Sequence, residues 1–280
     1  MAAACIVGIT FAGAARADVP HASPPSLPTL DTTRAEAHVE SAFATLEPYP
    51  GSARAHVMVN AVALEIPIFE PWIHLGWRYA AAAGESVEGR TPTSALISGN
   101  LTTSFRVSWF SGHGIAFSAG LLAAAPTAWF GRDGTSADVA RAARSVRVDD
   151  RVAFTPKAFA ISPVLDLRVE LALLTFQLRQ TLDASIELSE RATQSTTATT
   201  VVYGGIHLGD HVMPGVEITQ IYVLDGSAPD DARSRYTLMP HVRYFGRKIS
   251  PFLGIFYGTP ALHPRAEQIW GLRLGFNVGF

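Results

Sequence analysis

Arginine and carboxylate side chains recur in this chain at positions that alternate with large apolar residues. Arg78, Arg106, Arg168, Arg179, Arg243 and Arg273 fall in this class, beside Glu65, Asp166, Glu170, Asp183 and Glu217. A guanidinium presents a planar fork of N–H donors that matches a carboxylate, so neighbouring members can neutralise one another. Six cations stand against five anions, which opens a second use, because a surplus of Arg in a confined space attracts small anions. Nucleophilic and metal chemistry have no comparable footing. The nearest approach to a G-x-S-x-G elbow is Ala116-Phe117-Ser118-Ala119-Gly120, which lacks the first glycine and lies within an alternating stretch. No H-E-x-x-H run occurs, and the only cysteine, Cys5, sits in an apolar run near the start. His74 and His241 are the histidines that fall cleanly on the polar face, where they read as lining rather than as general bases. The expectation is no catalytic residue, no metal ligand and no cofactor.

The elements that must hold these charges are strands, because the alternation has period two. Residues 72–79 set Ile73, Leu75, Trp77 and Tyr79 against His74, Gly76 and Arg78. Residues 101–110, 159–170, 174–186 and 235–245 repeat the pattern, and weaker versions cover 52–68, 114–123, 199–208, 216–224 and 249–257. In 52–68 the apolar set changes face near Asn60, from Val57 and Val59 to Val62, Leu64 and Ile66, which one bulge there would explain. Residues 35–46 remain ambiguous: Val39, Phe43 and Leu46 are spaced for a short helix, yet the segment also reads as a first strand. A net charge of -2 argues against a nucleic-acid binder.

The two ends sharpen the class. From Trp270 to Phe280, the residues Trp270, Leu272, Leu274, Phe276, Val278 and Phe280 share one face of a strand, with Gly271, Arg273, Gly275, Asn277 and Gly279 on the other. This pattern resembles the C-terminal signature of bacterial outer-membrane β-barrels. The resemblance implies that these six residues are the recognition element for the barrel-assembly machinery. Residues 1–17 read as a signal peptide, with a short apolar run and Ala15-Arg16-Ala17 as a cleavage site. The first four residues carry no Lys or Arg, which leaves open a start upstream of Met1 or a weak natural signal. Residues 18–50, with Pro20, Pro24, Pro25 and Pro28, read as a mobile periplasmic segment, and 51–280 as the barrel.

Long and short connections alternate back from Phe280, as short periplasmic turns and longer outer loops would require. Eleven strands are legible, and residues 35–46 supply a twelfth, since an even number is expected; ten remain if one weak segment fails. The expected fold is therefore an all-β, up-and-down transmembrane β-barrel in the bacterial outer membrane. Aromatics near strand ends (Trp72, Tyr79, Trp109, Tyr203, Tyr222, Tyr244, Tyr257, Trp270) read as interfacial girdles. The polar face, turned inward, would line a lumen, where Arg is tolerated at Gly275 but costs about 2 to 4 kcal/mol at Leu274. The expected job is a passive channel for small polar or anionic solutes. A closed structural barrel with a charge-sealed lumen is the alternative, and a lipid-modifying enzyme a more distant one. Expected partners are the outer-membrane bilayer and the barrel-assembly machinery. Arg132, Arg141, Arg144, Arg147 and Arg151 in the long connection 125–157 read as a solvated loop, or as a contact to lipopolysaccharide phosphates.

Overall fold

The computed structural model describes residues 35–47, 54–70, 72–88, 91–111, 114–128, 134–147, 150–155, 157–188, 194–225, 234–246, 248–260 and 268–280. The signal-peptide reading of residues 1–17 and the periplasmic reading of 18–34 lie outside them. The alternating segments form β1 (Glu36–Glu47), β2 (Arg54–Phe69), β3 (Ile73–Glu88), β4 (Thr91–Ser98), β5 (Leu101–Ser111) and β6 (Ile115–Ala125). After a helix, α1 (Gly134–Val146), come β7 (Ala158–Leu171), β8 (Leu174–Glu187), β9 (Gln194–Ile206), β10 (Val212–Val223), β11 (Ser234–Tyr244), β12 (Ile249–Pro260) and β13 (Gln268–Gly279). Each strand pairs antiparallel with its neighbours, and β1 pairs with both β2 and β13, so the sheet closes on itself. The ring is a twelve-strand barrel in which β4 and β5 are two halves of one strand. The ambiguous segment 35–46 is thus a strand, and the barrel starts there rather than after residue 50.

Two register features differ from the sequence reading. No bulge occurs at Asn60, which pairs in unbroken register with Ser41 on one side and Ala81 on the other. Val57 and Val59 point inward while Val62, Leu64 and Ile66 point outward on the same strand. The apolar set changes face because the inside itself turns apolar at that height. The bulge lies instead between β4 and β5. Ile97 pairs with Ala82 and Thr102 with Arg78, so β3 advances four residues while its partner advances five. The extra residue at Gly99-Asn100 exchanges faces, leaving Ile97, Thr102 and Arg106 all buried inside. The expected loop across 82–91 is also largely strand, since Ala81 to Glu88 pairs with Ser98 to Thr91.

The outside is a belt of exposed large apolar side chains, with Phe105, Leu165, Phe176, Leu253 and Leu274 among them. Aromatics bound the belt: Trp72, Trp109, Tyr244 and Phe280 toward the tight turns, and Tyr79, Tyr222, Tyr236, Tyr257 and Trp270 toward the long connections. Tyr236 and Tyr244 on β11 are eight residues apart, about 27 Å along a strand and about 20 Å along the axis of a tilted barrel. That height and continuity suit a lipid-facing band and would be untenable in water. Tyr203 departs from the girdle. It is fully buried inside the barrel, its ring lying over Gly205 and Gly215, where a Cβ on Gly215 would sit 2.7 Å from the ring. Gly275 is also a departure, because an added Cβ would lie 2.7 Å from the Phe252 ring, so Arg there is not tolerated as the sequence suggests.

Candidate functional site: the barrel lumen

In the long connection between β6 and β7, residues 134–147 and 150–155 do not extend outward as a solvated loop. Its Ala-rich middle forms α1, and α1 packs on the inner faces of β1 to β4 and β13. Val139, Ala140, Ala142, Ala143 and Val146 meet Ala42, Ala44, Ala55, Val57, Val59, Ala61, Ala80, Ala82 and Ile97 in one buried cluster. Small wall residues make room for a helix inside a barrel of this width. Gly84 shows the closeness, since a Cβ there would lie 3.2 Å from Val139.

Polar contacts fasten the inserted segment at several points. Arg147, at the end of α1, is buried and ion-pairs with Glu40 on β1, which also accepts a 2.8 Å bond from Arg273 on β13. The His38 ring lies 3.1 Å from Glu40 and 2.6 Å from Asn277. Ser86 on β3 donates to Asp138 of α1 at 2.7 Å, and Arg78 reaches Asp150 at 3.5 Å. Asn100, in the β4–β5 bulge, takes both ends of the insertion. Its side-chain amide donates to the carbonyls of Val152 and Thr155 at 2.8 Å and accepts from the Ala128 amide at 2.6 Å. Its backbone N–H donates to Ala153 at 2.6 Å. A buried Asn with so many bonds to backbone holds that backbone in one place.

Toward the tight turns, a second packing fills the lumen between β9 and β1. Tyr203 stacks on His241 with ring centres 5.4 Å apart, the Arg243 guanidinium lies 5.5 Å over Phe252, and Phe252 stacks on His38. Val201, Met213 and Phe245 form one buried cluster with Tyr203.

What remains hollow is the opposite side, bounded by β2, β3 and β5 to β8. A cavity there of about 110 Å³ is roofed by Asp150 and Val152 of the insertion. Arg179 donates to Asp166 at 2.9 and 3.1 Å across β7 and β8. Arg106 ion-pairs with Glu65, and His74 lies 3.4 Å from the same carboxylate. Thr102, Ser104, Ser162 and Asp183 complete the polar lining, with the Thr197 hydroxyl donating to Asp183 at 3.5 Å.

The structure therefore places Arg78, Arg106, Asp166, Arg168, Glu170, Arg179, Asp183, Glu217, Arg243 and Arg273 on the inner face but divides them between regions. Arg78, Arg106, Asp166, Arg179 and Asp183 border the cavity. Arg243 and Arg273 belong to the filled side, Glu217 is buried on β10, and Arg168 on β7 ion-pairs with Glu170 two residues along. The Arg surplus disappears, because the insertion and β1 add Arg147 but also Asp150 and Glu40. Glu40, Asn100 and Asp150 escaped the sequence reading, and Arg147, read there as part of a solvated loop, is buried in the lumen. The available signal was the run of Ala on inward positions of β1 to β3, which is too small to fill a lumen unaided. Arg141 pairs with Asp138 along α1, and Arg132 and the Arg151 side chain lie outside the described residues. No group of three potential metal ligands occurs among the described residues.

No family model matches the chain, and no curated protein sequence matches it. Solved structures do. An outer membrane channel from Pseudomonas putida F1 has a TM-score of 0.64 at 12% identity, covering 89% of this chain and 96% of that one. The NanC porin has a TM-score of 0.56 at 10% identity, covering 86% and 100%. A Pseudomonas aeruginosa FadL homologue has a TM-score of 0.50 at 9% identity, covering 89% and 91%. The fold is that of the outer-membrane β-barrels, and at these identities the likeness extends to the fold alone.

Proposed function

We propose that the protein is an outer-membrane barrel that passes small polar solutes along the β5–β8 side of its lumen, the rest being occupied by the inserted segment and the aromatic packing. The observation that carries this reading is the cavity beside the insertion, bordered by ion pairs and hydroxyls: a barrel built only as a scaffold gains nothing from leaving one side hollow. Conduction calls for groups that replace water at a solute without holding it, and hydroxyls beside ion pairs meet that need. The test is single-channel recording of the refolded mature chain in a planar bilayer. Small discrete steps support a narrow passage, and their absence from a demonstrably folded barrel refutes it. A closed barrel is the second reading, favoured by the matched ion pairs, and silent recordings would select it.

The outward row Trp270, Leu272, Leu274, Phe276, Val278 and Phe280 supports recognition by the barrel-assembly machinery, since it is the strand that meets β1 at closure. Removing Phe280 is expected to lower the fraction of heat-resistant barrel in cells; an undiminished fraction refutes that role.

A further inference from the structure

The hollow side of the lumen carries charge of both signs, with one carboxylate more than its guanidiniums. Its lining holds Arg78, Arg106 and Arg179 against Glu65, Asp150, Asp166 and Asp183. Each of these guanidiniums has a carboxylate partner: Arg78 with Asp150 at 3.5 Å, Arg179 with Asp166 at 2.9 Å, and Arg106 with Glu65. The pairs stand on different parts of the wall, at the roof, on β7–β8, and between β2 and β5. The guanidiniums of Arg243 and Arg273, which belong to the six behind the anion-favouring expectation, are committed to the filled side.

An ion entering a confined space must shed water, and a lining whose guanidiniums are already paired with carboxylates supplies little field to compensate for it. A solute carrying both charges is treated differently. Its carboxylate can be taken by the guanidinium of a pair while its ammonium meets the carboxylate of that same pair, so that the solute inserts into the pair without leaving a buried charge unmatched. From this arrangement we infer that the cavity selects small zwitterionic solutes, of the amino-acid type, over anions or cations of the same size. The inference rests on the channel reading above and names its substrate class.

Swelling of liposomes containing the refolded barrel tests it, with glycine, glycolate and protonated ethanolamine as size-matched probes and heat-modifiability on gels as the check of folding. Glycine is expected to enter at least about threefold faster than either ion, and the reversal potential in a KCl gradient to show no more than a slight preference for the cation. Asp166→Asn should then shift selectivity toward anions and Arg179→Gln toward cations. The double substitution, which removes the pair together, should leave the reversal potential at the unsubstituted value and guards against either single variant misfolding. Entry of glycolate ahead of glycine overturns the inference while leaving the channel standing, as does a folded pair of single variants with no opposite shifts. Entry of none of the three probes overturns both.

Discussion

On the loop-side halves of β1, β2 and β3, and on β4, the inward side chains are mostly Ala, Val, Leu and Ile; across the lumen, on β5, β7 and β8, they are largely Thr, Ser, Arg, Asp and Gln. The first region buries a helix, and the second borders a cavity. Both belong to one closed sheet with the same pleat, so backbone geometry does not distinguish them. The difference is what the inner face meets. An apolar inner face is stable only if protein covers it, and an ionic inner face only if its charges are paired or wet. The barrel is thus asymmetric in section, filled on one flank and polar and hollow on the other.

The sharpest way to break this contrast is to loosen the filled flank at Glu40. Glu40→Ala leaves the buried guanidiniums of Arg147 and Arg273 without their shared carboxylate, which should cost about 3 to 5 kcal/mol in urea unfolding of the refolded barrel. The same variant should raise conductance as the insertion loosens. An unchanged unfolding midpoint would mean that the apolar contacts of α1 hold the segment without the ion pairs.

Neighbouring residues on β5 test the two faces of the hollow flank. Phe105→Arg places a charge on the exposed belt and should cost about 2 to 4 kcal/mol, whereas Ser104→Arg enters the cavity lining and should cost little. Equal costs in the same folding assay would contradict the lipid-facing assignment of the belt. This pair replaces Leu274 and Gly275, because Gly275 has no room for any side chain.

A smaller effect is expected at Asn100, where the two flanks meet. Asn100→Ala removes the side-chain bonds to Ala128, Val152 and Thr155 and should cost about 1 to 3 kcal/mol. Hydrogen exchange of the amides of 150–155 should rise while that of β7 and β8 stays constant. A uniform rise across the barrel would show that Asn100 supports the whole wall rather than the insertion.

Strands whose two faces meet different surroundings, such as β5, β7, β8, β11 and β13, were legible because lipid-side and lumen-side residues alternate along them. Legibility failed where the contrast was missing. In β2 the reversal at Asn60 looked like a bulge because Val57 and Val59 are apolar, and nothing local says that a helix lies against them. The pairing of 81–88 with 91–98 was hidden for the same reason, its inner face being Ala and Gly beneath α1 and its outer face rising past the aromatic girdle. Tyr203 resembled a girdle residue because only the approach of Gly205 and Gly215 opens a slot for its ring inside.

Period-two alternation, the aromatic spacing and the closing run from Trp270 to Phe280 determined the class of fold, because they record which side of each strand meets lipid, and that preference is local to each residue. Tertiary structure alone decided that residues 134–147 and 150–155 turn into the lumen, that Arg147 finds Glu40 more than a hundred positions away, and that the Arg residues divide between a filled flank and a cavity of paired charges. Those outcomes depend on partners brought together by closure of the sheet, and the cost of an unmatched buried charge is settled only when every charge has its place.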